Sequence, residues 1–331
     1  MNGLLVGLGN MGRNHARILA QIAKSVSFVD PNYKSMENLP KGFSHCFENI
    51  EDALDKQKYD FAVVAAPTKF HFEICKRLIE EKVHILVEKP ITESLDTAKA
   101  LRQLARDNNV KLLPGHIERY NPAIMFLKDK LAGYDLDSVY RIEVLRCSPF
   151  PPRITDVGVS YDLSVHDLDV INFLFDKKVT SLFCRKAQQL HSTREDGVIC
   201  YLNYENDIDC VMNTNWTSPV KKREIRIFGA WGMFTVDFIS QEVVYNENPN
   251  HIADHGTWGW TGISEGEQIK YNVPKSEPLF NEYSHFFNGI KNNLSFDKEV
   301  LSAIDVIKVV AQFTISHNQR AEVILDQDSD S

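Results

Sequence analysis

The chain has 331 residues, of which 43% are apolar and 25% charged, a composition that excludes disordered and fibrous classes and fits a folded chain of two domains. A net charge of −8 excludes a global attraction for nucleic acid or an anionic membrane. The one compact basic run, Lys221-Lys222-Arg223, reads as a solvated hairpin edge. No apolar stretch is read as approaching the ~20 residues of a membrane helix, so neither nucleic acid nor membrane is expected as a partner.

The first 120 residues alternate short apolar runs with helix-like ones. Leu4–Val6, Val26–Asp30, Phe61–Ala65, His84–Val87 and Lys111–Leu113 predict strands. Residues 12–23, 50–57, 70–82 and 92–108 predict helices, the last with Thr92 and Ser94 available as caps and an apolar face of Leu95, Ala98, Leu101, Leu104 and Ala105. Such alternation predicts a parallel sheet covered on both faces, with ligands at the carboxyl ends of its strands.

Between the first strand and the first helix stands GLGNMGRNHARIL, residues 7–19. Gly7, Gly9 and Gly12 form G-x-G-x-x-G: a glycine for the tight turn, one for close approach of a pyrophosphate, and one for helix–strand packing. The helix start adds free N–H groups and a partial positive charge for the phosphates. Asp30 ends the next strand 18 residues after Gly12, close to the ~20 usual for the acid that binds an adenosine ribose. A carboxylate there repels a 2′-phosphate, and no arginine stands beside it at Pro31-Asn32. NAD is therefore expected as cofactor in preference to NADP.

After Asn121-Pro122 the pattern changes. Strand-like runs at 138–147, 179–190, 197–205, 207–216, 223–229, 232–238 and 241–246 predict a mainly antiparallel sheet. One helix near 159–175 interrupts them, and two more follow near 279–291 and 298–315. The last is apolar at Val300, Ile304, Ile307 and Ala311 and is expected to pack back on the first domain. The polar region 247–266, with Trp258 and Trp260, reads equally as lid, subunit contact or long loop. Six scattered cysteines without a C-x-x-C pair predict reduced thiols of a cytoplasmic protein. The first strand begins at once, so no signal peptide is expected. His251 and His255 are four apart but lie among loop-forming residues, and no metal is expected.

Three segments carry chemistry. In Val87-Glu88-Lys89-Pro90, a lysine at a strand's carboxyl end could stabilise negative charge on a substrate hydroxyl. In Asp162-Leu163-Ser164-Val165-His166-Asp167-Leu168-Asp169, Asp162 and His166 share a helix face, a base with an orienting carboxylate. In Pro114-Gly115-His116-Ile117-Glu118-Arg119-Tyr120-Asn121-Pro122, Gly115 would allow approach to a nicotinamide, and Arg119 and Tyr120 could reach a polar or anionic substrate. Arg146 and Arg153 are further arginines that could bind a phosphate bidentately, a role the family resemblance described next suggests for them.

Taken together and in this order, GLGNMGRNH at 7–15, APTKFH at 66–71, EKP at 88–90 and D-x-x-x-H-x-x-D at 162–169 resemble the Gfo/Idh/MocA family of sugar and polyol dehydrogenases. The resemblance implies an α/β fold, an N-terminal doubly wound Rossmann domain (1–121) and a C-terminal α+β domain (122–331). The second domain's open, mainly antiparallel sheet would serve substrate binding and homo-dimer or homo-tetramer contacts. It implies hydride transfer with Lys89, Asp162 and His166 as catalytic positions. Gly7, Gly9, Asn10, Met11, Gly12, Asp30, Pro67, Thr68, His71, Glu88, Lys89 and His116 would hold the cofactor. Lys89, Arg119, Tyr120, Arg153, Asp162 and His166 would hold the substrate. The family often has paired glycines before the aspartate of this helix; here Gly158 stands alone. Within the family, GHIERYNP and PFPPRITDVGVSYDLSVHDLD look most like the UDP-N-acetylglucosamine 3-dehydrogenase branch. The alternatives are an inositol or free-sugar dehydrogenase and a non-catalytic dinucleotide sensor, which would need neither Lys89 nor His166.

Overall fold

The computed structural model describes residues 1–35, 42–152, 157–249 and 265–326. Its strands are β1 Asn2–Val6, β2 Ser25–Val29, β3 Cys46–Phe47, β4 Phe61–Val64, β5 His84–Glu88, β6 Leu112–Gly115, β7 Val139–Cys147, β8 Val179–Ala187, β9 Gly197–Tyr204, β10 Ile208–Asn215, β11 Lys222–Gly229, β12 Gly232–Asp237, β13 Glu242–Glu247, β14 Gln268–Tyr271 and β15 Val323–Ile324. Its α-helices are α1 Asn10–Ile22, α2 Ile50–Lys56, α3 His71–Glu80, α4 Leu95–Asp107, α5 Pro122–Leu131, α6 Val165–Phe175, α7 Pro278–Lys291 and α8 Asp297–Gln319. Residue contacts divide the chain into two units, Met1–Tyr120 with Glu277–Lys308, and Asn121–Ser276 with Val309–Ser331.

The first unit holds a parallel sheet in the order β3-β2-β1-β4-β5-β6. Its strands are buried on both faces, which is why they read as unbroken apolar runs. Successive side chains alternate between the faces. Leu4, Val6, Ala62, Val64, Ile85 and Val87 join a core with residues of α3, α4 and the start of α8. Leu5, Phe61, Val63 and Leu86 join another with Ala16 and Leu19 of α1 and Tyr283 and Phe286 of α7. In register, Val6 pairs with Val29 and with Val64. Gly7, Asp30 and Ala65 therefore leave the sheet at one level, at the point where the strand order reverses.

The second unit holds a mixed sheet in the order β14-β13-β12-β11-β7-β10-β9-β8-β15. The β7–β10 pair is parallel and its other described pairs are antiparallel. Alternation is clear in β9, which buries Val198, Cys200, Leu202 and Tyr204 and exposes Ile199 and Tyr201.

Several expectations need correction. Helix α4 begins at Leu95, because Ser94 Oγ is the cap, accepting from Thr97 N at 3.3 Å, while Thr92 Oγ1 donates to Ser94 O. Lys222 and Arg223 belong to β11, an interior strand between β7 and β12, and not to an edge. Helix α8 is long and apolar enough, by length and composition, to cross a membrane. Its Val300, Ala303, Ile304 and Ile307 instead lie in the core of the first unit. The six cysteines are free thiols. The tryptophan-bearing stretch, His251 and His255 lie outside the described residues.

Candidate active site

The three glycines of the β1–α1 turn have three different surroundings. Gly7 has φ +95°, and a Cβ there would lie 2.6 Å from the Ala65 carbonyl oxygen. A Cβ on Gly12 would lie 2.0 Å from the Gly7 carbonyl oxygen, so this glycine lets α1 lie against the end of β1. A Cβ on Gly9 meets no atom within 4 Å. Gly9 is also the N-cap of α1, which has no side-chain cap and no acid in its first turn. Backbone amides at the start of the helix, which Asn10 and Met11 begin, are thus offered to an anion. The cradle fits a pyrophosphate.

Asp30 is buried, and its carboxylate ties the turn to β2. Oδ2 accepts from Leu8 N at 2.9 Å and Oδ1 from Asn32 N at 2.8 Å. Each oxygen keeps a second lone pair, enough for the two hydroxyls of a ribose.

At the end of β4, Pro67 is exposed and Thr68 half-buried. His71 is buried, with Nε2 2.8 Å from Ala66 O and Nδ1 3.0 Å from Pro90 O. Burial pulls its pKa below the ordinary histidine value, against the pull of these carbonyls. Its ring therefore links the loops that follow β4 and β5.

Glu88 ends β5 and is buried. Oε1 lies 2.8 Å from His15 Nε2, and His15 Nδ1 lies 2.8 Å from Tyr283 Oη. Lys89 N donates to Oε2 at 3.2 Å. Burial opposes ionisation of Glu88, but the His15 hydrogen bond, the electrostatics of His15 and the Lys89 charge outweigh it and hold the carboxyl below its usual range. With Glu88 ionised, His15 Nε2 carries a hydrogen and donates to the carboxylate. Lys89 itself is half-buried, and the Lys89–Pro90 peptide is cis.

At the end of β6, a Cβ on Gly115 would lie 3.1 Å from both Glu88 Cα and Val87 O. The missing side chain lets β6 lie close to the end of β5. His116 is buried beside it. Arg119 and Tyr120 are also buried, in a 3-10 turn over Ile117–Tyr120. The Arg119 charge helps His285 hold Glu299 below the usual carboxylate range against the effect of burial. Tyr120 O accepts from Asn281 Nδ2 at 3.0 Å, and its ring packs on His285. Tyr120 thus packs on α7, and the Arg119 charge acts on Glu299 of α8.

In the second unit Asp162 lies in a π-helical turn, Ser160–Ser164, that leads directly into α6. Such turns are frequent at functional sites. Asp162 and His166 are both half-buried. Two buried contacts fix this segment on the sheet. Ser164 Oγ lies 2.7 Å from Thr214 Oγ1 of β10. Arg146 of β7 donates from Nε and Nη2 to the carboxylate of Asp167 at 2.8–3.0 Å, with side-chain exposures of 1% and 2%. Arg146 is thus committed to the residue after His166 and does not serve as the phosphate contact expected. A Cβ on Gly158 would lie 2.3 Å from Glu195 Cδ, so a side chain there would displace that carboxylate. Burial disfavours the Glu195 charge, but the Ser160 hydroxyl and Lys186 hold this carboxyl below its usual range. Arg153 lies outside the described residues.

Sequence reasoning assigned no role to His15, Tyr283, Asp167 or Glu195. A signal existed for His15, which stands inside the glycine-loop motif. Tyr283 is 268 residues away from it, and nothing local in the chain marks the pairing.

Comparison with known proteins gives two family matches. Residues 1–116 match the oxidoreductase family with an NAD-binding Rossmann fold. Residues 130–235 match the GFO/IDH/MocA C-terminal domain. A UDP-N-acetylglucosamine 3-dehydrogenase of Acidithiobacillus ferrooxidans is 26% identical over 86% of this chain and 87% of its own. A solved structure of that enzyme superposes with a TM-score of 0.82 at 24% identity, covering 96% of this chain and 97% of its own. A scyllo-inositol 2-dehydrogenase (NAD(+)) of Bacillus subtilis is 28% identical over 54% of this chain and 55% of its own.

Proposed function

The chain belongs to the Gfo/Idh/MocA family of oxidoreductases, and from that premise we propose that it oxidises a secondary alcohol of a sugar to a ketone, the 3-hydroxyl of UDP-N-acetylglucosamine. The observation that carries the reading is the cradle at Gly9, open and rich in amides beside the tethered carboxylate of Asp30, at the reversal point of a Rossmann sheet. The choice of substrate rests on likeness to the Acidithiobacillus enzyme along most of the chain.

The α1 amides and Gly9 hold the pyrophosphate, and Asp30 holds the adenosine ribose and disfavours a 2′-phosphate, so NAD is the cofactor. When bound, the oxidised nicotinamide supplies the acceptor for the hydride from the carbinol carbon. Lys89 hydrogen-bonds the substrate hydroxyl and stabilises negative charge as it develops on that oxygen. His166 takes the hydroxyl proton, and Asp162, on the preceding π turn, orients the imidazole. A homo-oligomer is supported by an exposed apolar row on the large sheet, where Phe183, Tyr201 and Val211 stand opposite one another in register across β8, β9 and β10.

A second reading, an inositol dehydrogenase, is favoured by the identity to the Bacillus enzyme. The test is to mix protein, NAD+ and either UDP-N-acetylglucosamine or scyllo-inositol with a ketone trap, and to follow reduced nicotinamide by absorbance. Reduction with the nucleotide sugar and NAD+, but not with NADP+, is expected. Reduction with the inositol alone would replace the substrate assignment.

A further inference from the structure

Glu88, His15 and Tyr283 form a buried chain that the proposed reaction leaves without a task. The three come from the end of β5, from α1 and from α7, and both links are 2.8 Å long. Tyr283 and His15 have no exposed surface. Nε2–H of His15 donates to the carboxylate, and Nδ1 shares the second hydrogen bond with the Tyr283 hydroxyl. The carboxylate's other oxygen accepts from Lys89 N. A carboxylate so held cannot swing away or pick up a partner from solvent.

Its position gives this charge a meaning. In a sheet ordered 3-2-1-4-5-6 a dinucleotide lies across the carboxyl ends, one nucleotide over each half. Asp30 assigns the adenosine to the half containing β2. The β4-β5-β6 half is left for the nicotinamide nucleotide, and Glu88 ends its middle strand. Nicotinamide is the part of the cofactor whose charge changes in the reaction: the oxidised ring is cationic and the reduced ring neutral.

We infer that the Tyr283–His15–Glu88 chain fixes a negative charge beneath the nicotinamide half of the site, and that this charge favours the oxidised ring over the reduced one. The inference rests on the dinucleotide reading above. It makes Glu88 a specificity residue for the redox state of the cofactor, and His15 and Tyr283 positioning residues that act through it. Among the described residues, the titratable groups that act on Glu88 or feel it are His15 and Lys89, His71 of α3, whose burial favours the neutral ring, and Tyr283 of α7, which also feels Glu282. Lys89 opposes Glu88 at the ring, so removing the carboxylate also uncovers a cation, and both effects act against the oxidised form.

The experiment measures Kd for NAD+ and for NADH by calorimetry, without substrate, in the wild type, E88Q and E88D. The quantity compared is Kd(NADH)/Kd(NAD+). E88Q keeps the shape and an acceptor for His15 but loses the charge. Its ratio should fall at least tenfold, the coupling of two unit charges about 12 Å apart at an effective dielectric of about 20. E88D keeps the charge and should stay within about threefold of the wild type. If E88Q does not fold, the paired apolar replacement H15L/E88M removes the charge with both hydrogen-bonding partners and carries the same expectation. An unchanged ratio in the charge-free variant, or equal falls in E88Q and E88D, overturns the inference and leaves the cofactor site standing. A wild type that binds neither form overturns the cofactor site and the inference together.

Discussion

Replacing Gly9 by alanine should separate binding from folding. Gly9 has φ −64° and ψ −164°, a backbone that alanine adopts without strain. The added methyl group meets no atom of the described residues within 4 Å. Stability should therefore change by no more than about 0.5 kcal/mol, the range of substitutions that touch nothing. The same methyl occupies the space through which a pyrophosphate reaches the backbone. Loss of one hydrogen bond between an amide and a charged phosphate costs about 1.5–3 kcal/mol, or about 10- to 150-fold in Kd. Gly12→Ala is the control, since its methyl would lie 2.0 Å from backbone at Gly7. Forcing an added carbon into so tight a contact costs about 1–3 kcal/mol of stability. Urea midpoints and calorimetric titration with NAD+ read the two effects. A G9A protein that binds NAD+ within twofold of the wild type, or that loses as much stability as G12A, would refute the reasoning.

Three further outcomes are expected. Arg146→Met orphans the buried Asp167 carboxylate and should cost about 3–5 kcal/mol in urea unfolding, while the double replacement R146M/D167L should recover most of it; equal loss in both would show that the pair is not coupled. Glu88 has a folded-state pKa below its unfolded value near 4.3, so its contribution is full above that value and is lost as pH falls through the folded one. The stability gap between wild type and E88Q should thus drift in favour of E88Q as pH falls from 6 to 3, and a constant gap would contradict the shift. His166→Asn should lower kcat by about 10²–10⁴-fold with NAD+ affinity kept within about threefold, and full turnover would remove His166 as the base.

The cofactor half of the fold was legible because its signals are local. Continuous apolar strands, a glycine turn between strand and helix, and an acid at the end of β2 each reflect a backbone requirement that one short segment must satisfy alone. The start of helix α5 is marked by its cap Asn121 and by Pro122 in its first turn, and it coincides with the passage of the chain from the first unit to the second. β3 and β15 span two residues each and β14 four, too few for alternation to show. The direction of a polar side chain was harder. Nothing near Arg146 says whether it faces water or Asp167, 21 residues on, and the same holds for Arg119. The Glu88–His15–Tyr283 chain was not legible at all, since its members meet only after the sheet and two helices have assembled.

The central claim is a hydride taken from a sugar carbon by NAD+. The most direct test uses UDP-N-acetylglucosamine carrying deuterium at carbon 3, incubated with the protein, NAD+ and a ketone trap, with mass spectrometry of the cofactor. The account predicts reduced nicotinamide one mass unit heavier than that formed from unlabelled sugar. Unlabelled reduced cofactor would place the oxidation at another carbon. No reduction by a protein shown to bind NAD+ would contradict the nucleotide-sugar assignment.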